Sequence, residues 1–402
     1  MQSRSSRLVD EYEYAIDSIT VEEFIYYTAF FLYTVFGVFG RTQFEKILFI
    51  DANLLYSVIR YICVVLLICK ILMQSYTVRS ALIALIVFFC MFISWRMSGN
   101  NTLAFTCLFI IAGQNVKIRR LAVISLVTTL IASSITVLFS VLGELHVETA
   151  WNRGEMVGVR YALGFTHPNS LGGVLVQICV AIVLLQSGKK RLHVVTLIPI
   201  IISAAICISV ADSRTAAMAL LILGVIEVTN EVIIERRSHY IPIICTTLIV
   251  LFFVSSILFM IYYNNDISWM QNLNKMLSSR LSLGNLFYKL YPPTLFGRNF
   301  ANMPIVLSID GGRSFLVDNS YMKLILMYGT IPFLIVVVGT FMLLTKTIQA
   351  KRYYFLLMMI TFMYLYAFTE SLPISFYFNY TSVALILVLY GDSIEITDEF
   401  KF

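Results

Sequence analysis

The sequence predicts an all-α polytopic membrane protein, and its composition, its low charge and its long apolar runs all support this fold class. Of the 402 residues, 59% are hydrophobic and 13% are charged, and the mean hydropathy is +0.84. A soluble domain carries roughly twice that share of charged residues, so a soluble fold is excluded. About twelve apolar runs have the length of a transmembrane helix. We expect one integral membrane domain over residues 1–402.

The predicted transmembrane helices follow one another along the chain. They lie at 24–40, 54–74, 80–95, 102–116, 121–143, 169–187, 192–210, 214–232, 241–263, 320–345, 352–369 and 374–391. Several runs are shorter than the ~20 residues that a membrane helix needs. The run at 214–232 is the weakest, because Glu227 and Glu231 fall in its last turns. All seven cysteines lie inside apolar runs without zinc-like spacing, so we interpret them as small apolar residues. The sequence has no clustered acidic ligands for a metal, and no cofactor is expected.

The distribution of lysine and arginine predicts the orientation. One set of short loops carries twelve basic residues: Arg79, Lys117, Arg119, Arg120, Lys189, Lys190, Arg191, Arg236, Arg237, Lys346, Lys351 and Arg352. The opposite loops carry six: Arg41, Lys46, Arg96, Arg153, Arg160 and Arg214. Basic loops stay in the cytoplasm, so both termini are predicted there, in a multi-pass protein of the cell membrane. The net charge of +6 suits anionic lipids or pyrophosphates, and nothing suggests nucleic acid.

One long loop, residues 264–319, is then predicted to be extracellular. Its apolar side chains recur every four residues, at Trp269, Leu273, Leu277 and Leu281. This spacing predicts an amphipathic helix over 269–290. The helix either lies on the outer leaflet or packs as an ordinary loop helix.

Polar side chains that could carry chemistry all fall on the predicted outer side. They are Arg160, His167, Arg214, Arg313, Asp318 and Glu370. Each has a simpler structural alternative, such as an interfacial arginine, a helix cap or a mobile loop charge. Their common side favours a shared site, in which arginines hold an anionic substrate and Asp318, His167 or Glu370 acts as a base.

Several short motifs carry a family resemblance. Residues 164–169 read Gly-Phe-Thr-His-Pro-Asn and residues 213–215 read Ser-Arg-Thr. These stretches, with those at 277–281 and 295–297, resemble elements of Wzy-type polysaccharide repeat-unit polymerases that serve Gram-positive capsules and exopolysaccharides. Asp318-Asn319, followed by nine residues and Gly329, resembles the His-Asn-x9-Gly element of the related O-antigen ligases. Aspartate in place of that histidine favours a polymerase. The resemblance covers about residues 140–372.

The resemblance implies a GT-C-type glycosyltransferase fold and undecaprenyl-diphosphate-linked oligosaccharides as substrates. It is consistent with a metal-independent polymerase in which Arg160, Arg214 and Arg313 bind the donor diphosphate. Within the same motifs, Asn169 and Asn319 are candidates for other substrate contacts. Asp318 is the first candidate for the base that activates the acceptor hydroxyl, followed by His167 and Glu370.

Two alternative functions stay open at this point. An O-antigen-ligase-like transferase would use the same donor with another acceptor, and a polysaccharide flippase or other transporter would also span the membrane many times. Transporters usually show two similar halves and polar groups near the bilayer midplane, and the sequence shows no evident half-repeat. Expected partners are membrane lipids and the lipid-linked oligosaccharide, with a flippase and a chain-length regulator of the same pathway as further candidates.

Labelling of a single cysteine tests the predicted orientation. Asn302→Cys, in a variant that lacks the seven natural cysteines, should react with a membrane-impermeant thiol reagent on intact cells. The reason is that the long loop lies opposite the basic loops. Reaction only after lysis would place the loop inside the cell and contradict the orientation.

Overall fold

The computed structural model describes residues 19–46, 52–153, 156–186, 194–235, 240–301, 303, 317–349 and 354–391. The first half contains helices α1 (Val21–Phe39), α2 (Ala52–Met73), α3 (Val78–Ser98), α4 (Thr102–Ile111) and α5 (Ile118–Val141). A hairpin of β1 (Glu148–Arg153) and β2 (Met156–Tyr161) follows. Next come α6 (Pro168–Gln186), α7 (Val194–Ser209), α8 (Arg214–Glu235) and α9 (Tyr240–Tyr262).

The remaining helices are shorter and less regular. They are α10 (Ser268–Met276), α11 (Arg280–Leu290), α12 (Ser320–Lys323), α13 (Thr330–Gln349), α14 (Tyr354–Ala367) and α15 (Ile386–Tyr390). A π-helical turn, Leu324–Tyr328, joins α12 to α13. Short 3-10 turns lie at Gln43–Lys46, Leu372–Ile374 and Tyr380–Leu385.

The predicted class of helical, multi-pass membrane protein is confirmed. Among the described residues, six helical segments are long and apolar enough to cross a membrane: Leu54–Met73, Val78–Ser98, Ile118–Val141, Pro168–Gln186, Tyr240–Tyr262 and Thr330–Ile348. The other apolar helices are shorter or more polar, so the number of twelve spans stays a prediction. Helices α2, α3, α9 and α13 keep long apolar faces exposed, as expected of helices in contact with lipid.

Helix α14 lies at the centre of the helical packing. Nearly all of its residues are buried, and it contacts α8 on one side and α9 on another. Helix α6 is also mostly buried, and it packs against α5, α7 and α8. The sequences of these two helices are apolar because protein encloses them, and a protein interior requires apolar side chains just as lipid does.

Two predicted continuous helices are interrupted. The run at 320–345 breaks at Gly329, whose φ of 102° is a conformation that other residues rarely adopt. A Cβ on Gly329 would lie 2.3 Å from the backbone nitrogen of Gly297, so only glycine permits this approach. Backbone N–H groups of Thr330 and Ile331 donate to carbonyls of the facing loop, and the break is therefore where the long loop docks. The run at 374–391 contains 3-10 turns and only the short α15.

The predicted single helix over 269–290 is wrong, because the structure has α10 and α11 with a sharp bend between them. Ser278 and Ser279 adopt left-handed conformations at the bend. The side-chain oxygen of Asn274 accepts the N–H groups of Leu281 and Ser282, which fixes the direction of α11. Helix α11 packs against α9 and buries its first residue, Arg280, so it is a packed loop helix.

The β-hairpin was not predicted. Its strands pair antiparallel, with Thr149 opposite Arg160. The N–H of Tyr161 donates to the carbonyl of Val210 at 3.1 Å, which holds the end of β2 against the connection between α7 and α8. The hairpin thereby places Arg160 beside the start of α8.

Candidate functional site

A continuous set of polar side chains lies where α6, α8 and α11 begin and where α14 ends. Asn169 in the first turn of α6 contacts Ser213, and Thr215 in the first turn of α8 contacts Glu370 after α14. Glu370 in turn contacts Arg280 at the start of α11. Helix N-termini carry partial positive charge, so three of them at one place favour an anionic ligand.

Arg280 is bound between two carboxylates. Its Nη2 donates to Oε1 of Glu370 at 2.6 Å, and its Nε lies 3.4 Å from Oδ2 of Asp318. The side chains of Arg280 and Glu370 are buried, whereas that of Asp318 is 45% exposed. Asp318 is therefore the carboxylate of this group that a substrate hydroxyl can reach.

Glu370 is held by contacts from several elements. Its Oε1 also accepts from the hydroxyl of Thr215 at 3.0 Å, and its backbone carbonyl accepts from the hydroxyl of Ser320 at 2.6 Å. Burial raises the pKa of the Glu370 carboxyl to about 7, with Asp318 adding to the rise while Arg280 and Thr215 oppose it. The charge state of Glu370 therefore changes near neutral pH.

The buried side chain of Arg160 donates hydrogen bonds that hold the connection before α8 in place. Its Nε donates to the carbonyl of Ala211 at 3.0 Å, and its Nη2 donates to the carbonyl of Asp212 at 2.8 Å and to Oδ1 of Asn169 at 3.1 Å. Asp212 has a φ of 42°, which is an uncommon conformation for a residue with a side chain. These contacts give Arg160 and Asn169 a structural role, and the predicted diphosphate contact of Arg160 stays a prediction.

Arg214 differs from Arg160 in exposure. Its side chain is 69% exposed, and its Nε lies 3.7 Å from Oδ1 of Asp212. As the first residue of α8, it adds a full positive charge to a helix N-terminus.

A Cβ on Gly172 would lie 2.7 Å from that of Ala216, so the absence of a side chain there lets α6 approach the start of α8.

The side chain of His167 accepts a hydrogen bond from the first turn of α6. Its Nδ1 accepts the backbone N–H of Asn169 at 3.0 Å, and its carbonyl accepts the N–H of Ser170. With Nδ1 accepting this hydrogen bond, a neutral imidazole carries its proton on Nε2. His167 therefore caps the first turn of α6 in this structure, and its role as the base stays a prediction.

Asn319, and not Asp318, caps α12. The Oδ1 atom of Asn319 accepts the N–H groups of Tyr321 and Met322, and its Nδ2 donates to Ser256 and to the carbonyl of Phe368. Its side chain is buried, so its polar atoms serve the fold, and its predicted substrate contact stays a prediction. The alternative that Asp318 is merely the helix cap is wrong.

Four residues at or near this site were not predicted from the sequence: Arg280, Thr215, Lys323 and Arg41. Nζ of Lys323 donates to the hydroxyl of Ser371 at 3.3 Å, next to Glu370. Nε of Arg41 donates to the hydroxyl of Tyr377 at 2.6 Å. Arg280 could have been identified from the sequence, because the Leu-Ser-Ser-Arg-Leu stretch at 277–281 is one of the motifs that carry the family resemblance.

Arg313 lies outside the described residues, so its position relative to this site is not defined. Among the described residues, no group of three or more His, Cys, Asp or Glu side chains is placed to hold a metal ion. The charged groups that the structure does bring together are Arg280, Asp318 and Glu370, with Arg214 linked to them through its neighbour Thr215.

Stability measurements can separate the two arginines of the α8 region. Arg160→Ala removes the donor to the buried carbonyl of Ala211 and to the partly buried carbonyl of Asp212, which we expect to cost about 3 kcal/mol. Arg214→Ala removes an exposed charge and should change stability by less than about 0.5 kcal/mol. Thermal unfolding of the detergent-purified proteins measures the difference. Equal melting temperatures for the two variants would contradict the structural role of the Arg160 hydrogen bonds.

Comparison of this chain with protein-family models, with curated proteins and with solved structures gave no match.

Proposed function

We propose that this protein is a polysaccharide polymerase that joins undecaprenyl-diphosphate-linked oligosaccharide repeat units at the outer face of the cell membrane. The observation that carries the proposal is the pairing of Arg280 with Asp318 and Glu370 where three helices begin. Such a site offers the exposed cation of Arg214 for a diphosphate beside the accessible carboxylate of Asp318 for a hydroxyl. The GT-C-type fold and cytoplasmic termini belong to the same proposal.

Donor binding uses the positive charges of the site. Arg214 is exposed at the start of α8, and its planar fork can bind two phosphate oxygens at once. As the bond between the anomeric carbon and the phosphate oxygen breaks, negative charge grows on the departing diphosphate. Arginine side chains fixed in advance stabilise that charge more than they stabilise the bound donor, which lowers the barrier.

Acceptor activation is assigned to Asp318. Its carboxylate takes the proton of the acceptor hydroxyl while the hydroxyl oxygen bonds to the anomeric carbon, and the electron pair of the broken bond leaves with the diphosphate. One displacement of this kind inverts the anomeric configuration. Glu370 is a positioning residue here, because its Oε1 holds the guanidinium of Arg280, which faces Asp318.

The alternative functions differ in what the site must do. A transporter usually has two similar halves with polar groups near the bilayer midplane, and the sequence shows no evident half-repeat. A ligase would use the same donor chemistry with a different acceptor. Its family element has histidine at the position of Asp318, so the aspartate favours the polymerase.

Substitution of Asp318 in a transfer assay tests the proposal. Purified protein supplied with a lipid-linked repeat unit should produce a ladder of longer lipid-linked glycans. Asp318→Asn removes the proton acceptor and keeps the shape, so the rate should fall on the order of 10²-fold or more. The matched control is Asp266→Asn, which changes an exposed aspartate of the same loop.

The outcomes of this assay separate the candidate functions. Transfer to a second acceptor without a ladder would indicate a ligase, and no transfer at all would contradict both enzymatic functions. A ladder made by Asp318→Asn at the normal rate would exclude Asp318 as the base.

The pH dependence of the rate tests the role of Glu370. Its pKa of about 7 means that the carboxylate that holds Arg280 is lost by protonation as the pH falls through 7. Between pH 8 and pH 6 the rate should therefore fall about tenfold. Glu370→Gln should be slow at every pH and should lack this step. Retention of the step in Glu370→Gln would assign it to another group.

A further inference from the structure

An apolar cavity of about 460 Å³ lies between α3, α4, α13 and α14. Its walls are almost entirely hydrocarbon, with Met91, Leu103, Ile335 and Met363 among the lining residues. A closed apolar cavity of about 150 Å³ can hold one benzene molecule. On that scale the cavity has room for roughly three five-carbon isoprene units.

The cavity reaches surfaces that face lipid. Ile83 of α3 and Leu334, Val338 and Met342 of α13 line it, and each is also exposed on the outside of the helices. Helices α3 and α13 both qualify as membrane spans. A hydrocarbon chain can therefore enter from the bilayer without crossing water.

The other end of the cavity adjoins the candidate site. Ser320 and Leu324 line the cavity, and Lys323 lies between them in the sequence. Lys323 contacts Ser371, which is two residues before the lining residue Pro373. The hydroxyl of Ser320 donates to the carbonyl of Glu370, so this end of the cavity is one hydrogen bond from the site.

We infer that this cavity binds the phosphate-proximal isoprene units of a polyprenyl phosphate or diphosphate lipid, with Lys323 contacting its phosphate. The choice of a polyprenyl chain rests on the proposed function. The cavity volume, the opening towards lipid and the position of Lys323 beside two lining residues are observations independent of it. A chain bound here with its phosphate at this end would bring the phosphate to Lys323, beside Ser371 and the hydrogen bond between Ser320 and Glu370.

Photolabelling in nanodiscs tests this assignment. The probe is a polyprenyl phosphate that carries a diazirine in one of its first three isoprene units. Mass spectrometry should locate the label on cavity residues of α3 or α13. Excess undecaprenyl phosphate should suppress the label, whereas phosphatidylglycerol should not. Equal suppression by phosphatidylglycerol, or label only outside the cavity, would overturn the inference.

A pair of glycine variants controls for the shape of the cavity. Gly339 lines the cavity, and a Cβ there would meet only Leu385 at 3.5 Å, so Gly339→Leu should fold and fill the space. Gly224 lies at the contact of α7 and α8, where a Cβ would meet Ile200 at 3.6 Å. Gly339→Leu should reduce the label at least tenfold, and Gly224→Leu should leave it unchanged. Equal labelling of both would overturn the inference.

Substitution of Lys323 tests the phosphate contact by a second route. Lys323→Gln should weaken binding of undecaprenyl phosphate about tenfold, whereas Lys323→Arg should retain most of it. Unchanged binding by Lys323→Gln would remove Lys323 from the site. None of these measurements requires sugar transfer. Polymer synthesis without cavity labelling would overturn only this inference, and labelling without any sugar transfer would support it while contradicting the proposed function.

Discussion

The buried carboxylate of Glu370 is the group on which the rest of the candidate site depends. It accepts hydrogen bonds from Arg280 at 2.6 Å and from Thr215 at 3.0 Å, and so links the starts of α11 and α8 to the end of α14. A buried charge without partners costs several kcal/mol, and these two donors offset part of that cost. The same contact turns the Nε of Arg280 towards Asp318, so the position of the accessible carboxylate follows from the buried one.

Much of the membrane architecture could be predicted, because a helix exposed to lipid needs a long unbroken apolar run. The predicted run at 54–74 became α2, and the run at 241–263 became α9, with ends shifted by two residues or fewer. The prediction of one continuous helix over 374–391 was wrong, because the backbone there forms 3-10 turns and one short helix that are enclosed by protein. Such a segment needs apolar side chains just as a membrane helix does. Hydropathy alone does not distinguish these two environments, whereas the contacts of the backbone do.

The candidate site was predicted in part, and the errors share a physical cause. Asp318 and Glu370 are conspicuous as charges beside apolar runs, so the sequence identifies them. Arg280 looked like the polar side of an amphipathic helix, and its burial depends on Glu370, which is 90 residues further along the chain. Arg160 and Arg214 looked equivalent, yet one is buried by carbonyl contacts to a left-handed aspartate and the other is 69% exposed.

The exposure of Arg214 bears on how the site could combine binding with catalysis. The charge of Arg280 is largely compensated by Asp318 and Glu370, so Arg214 carries the more available positive charge. In water its attraction for a phosphate is weak, because the high dielectric constant screens it. A large lipid-linked substrate that covers the start of α8 would displace that water and strengthen the attraction. The charge of Arg214 would then act most strongly when a substrate is bound and negative charge develops on the leaving diphosphate.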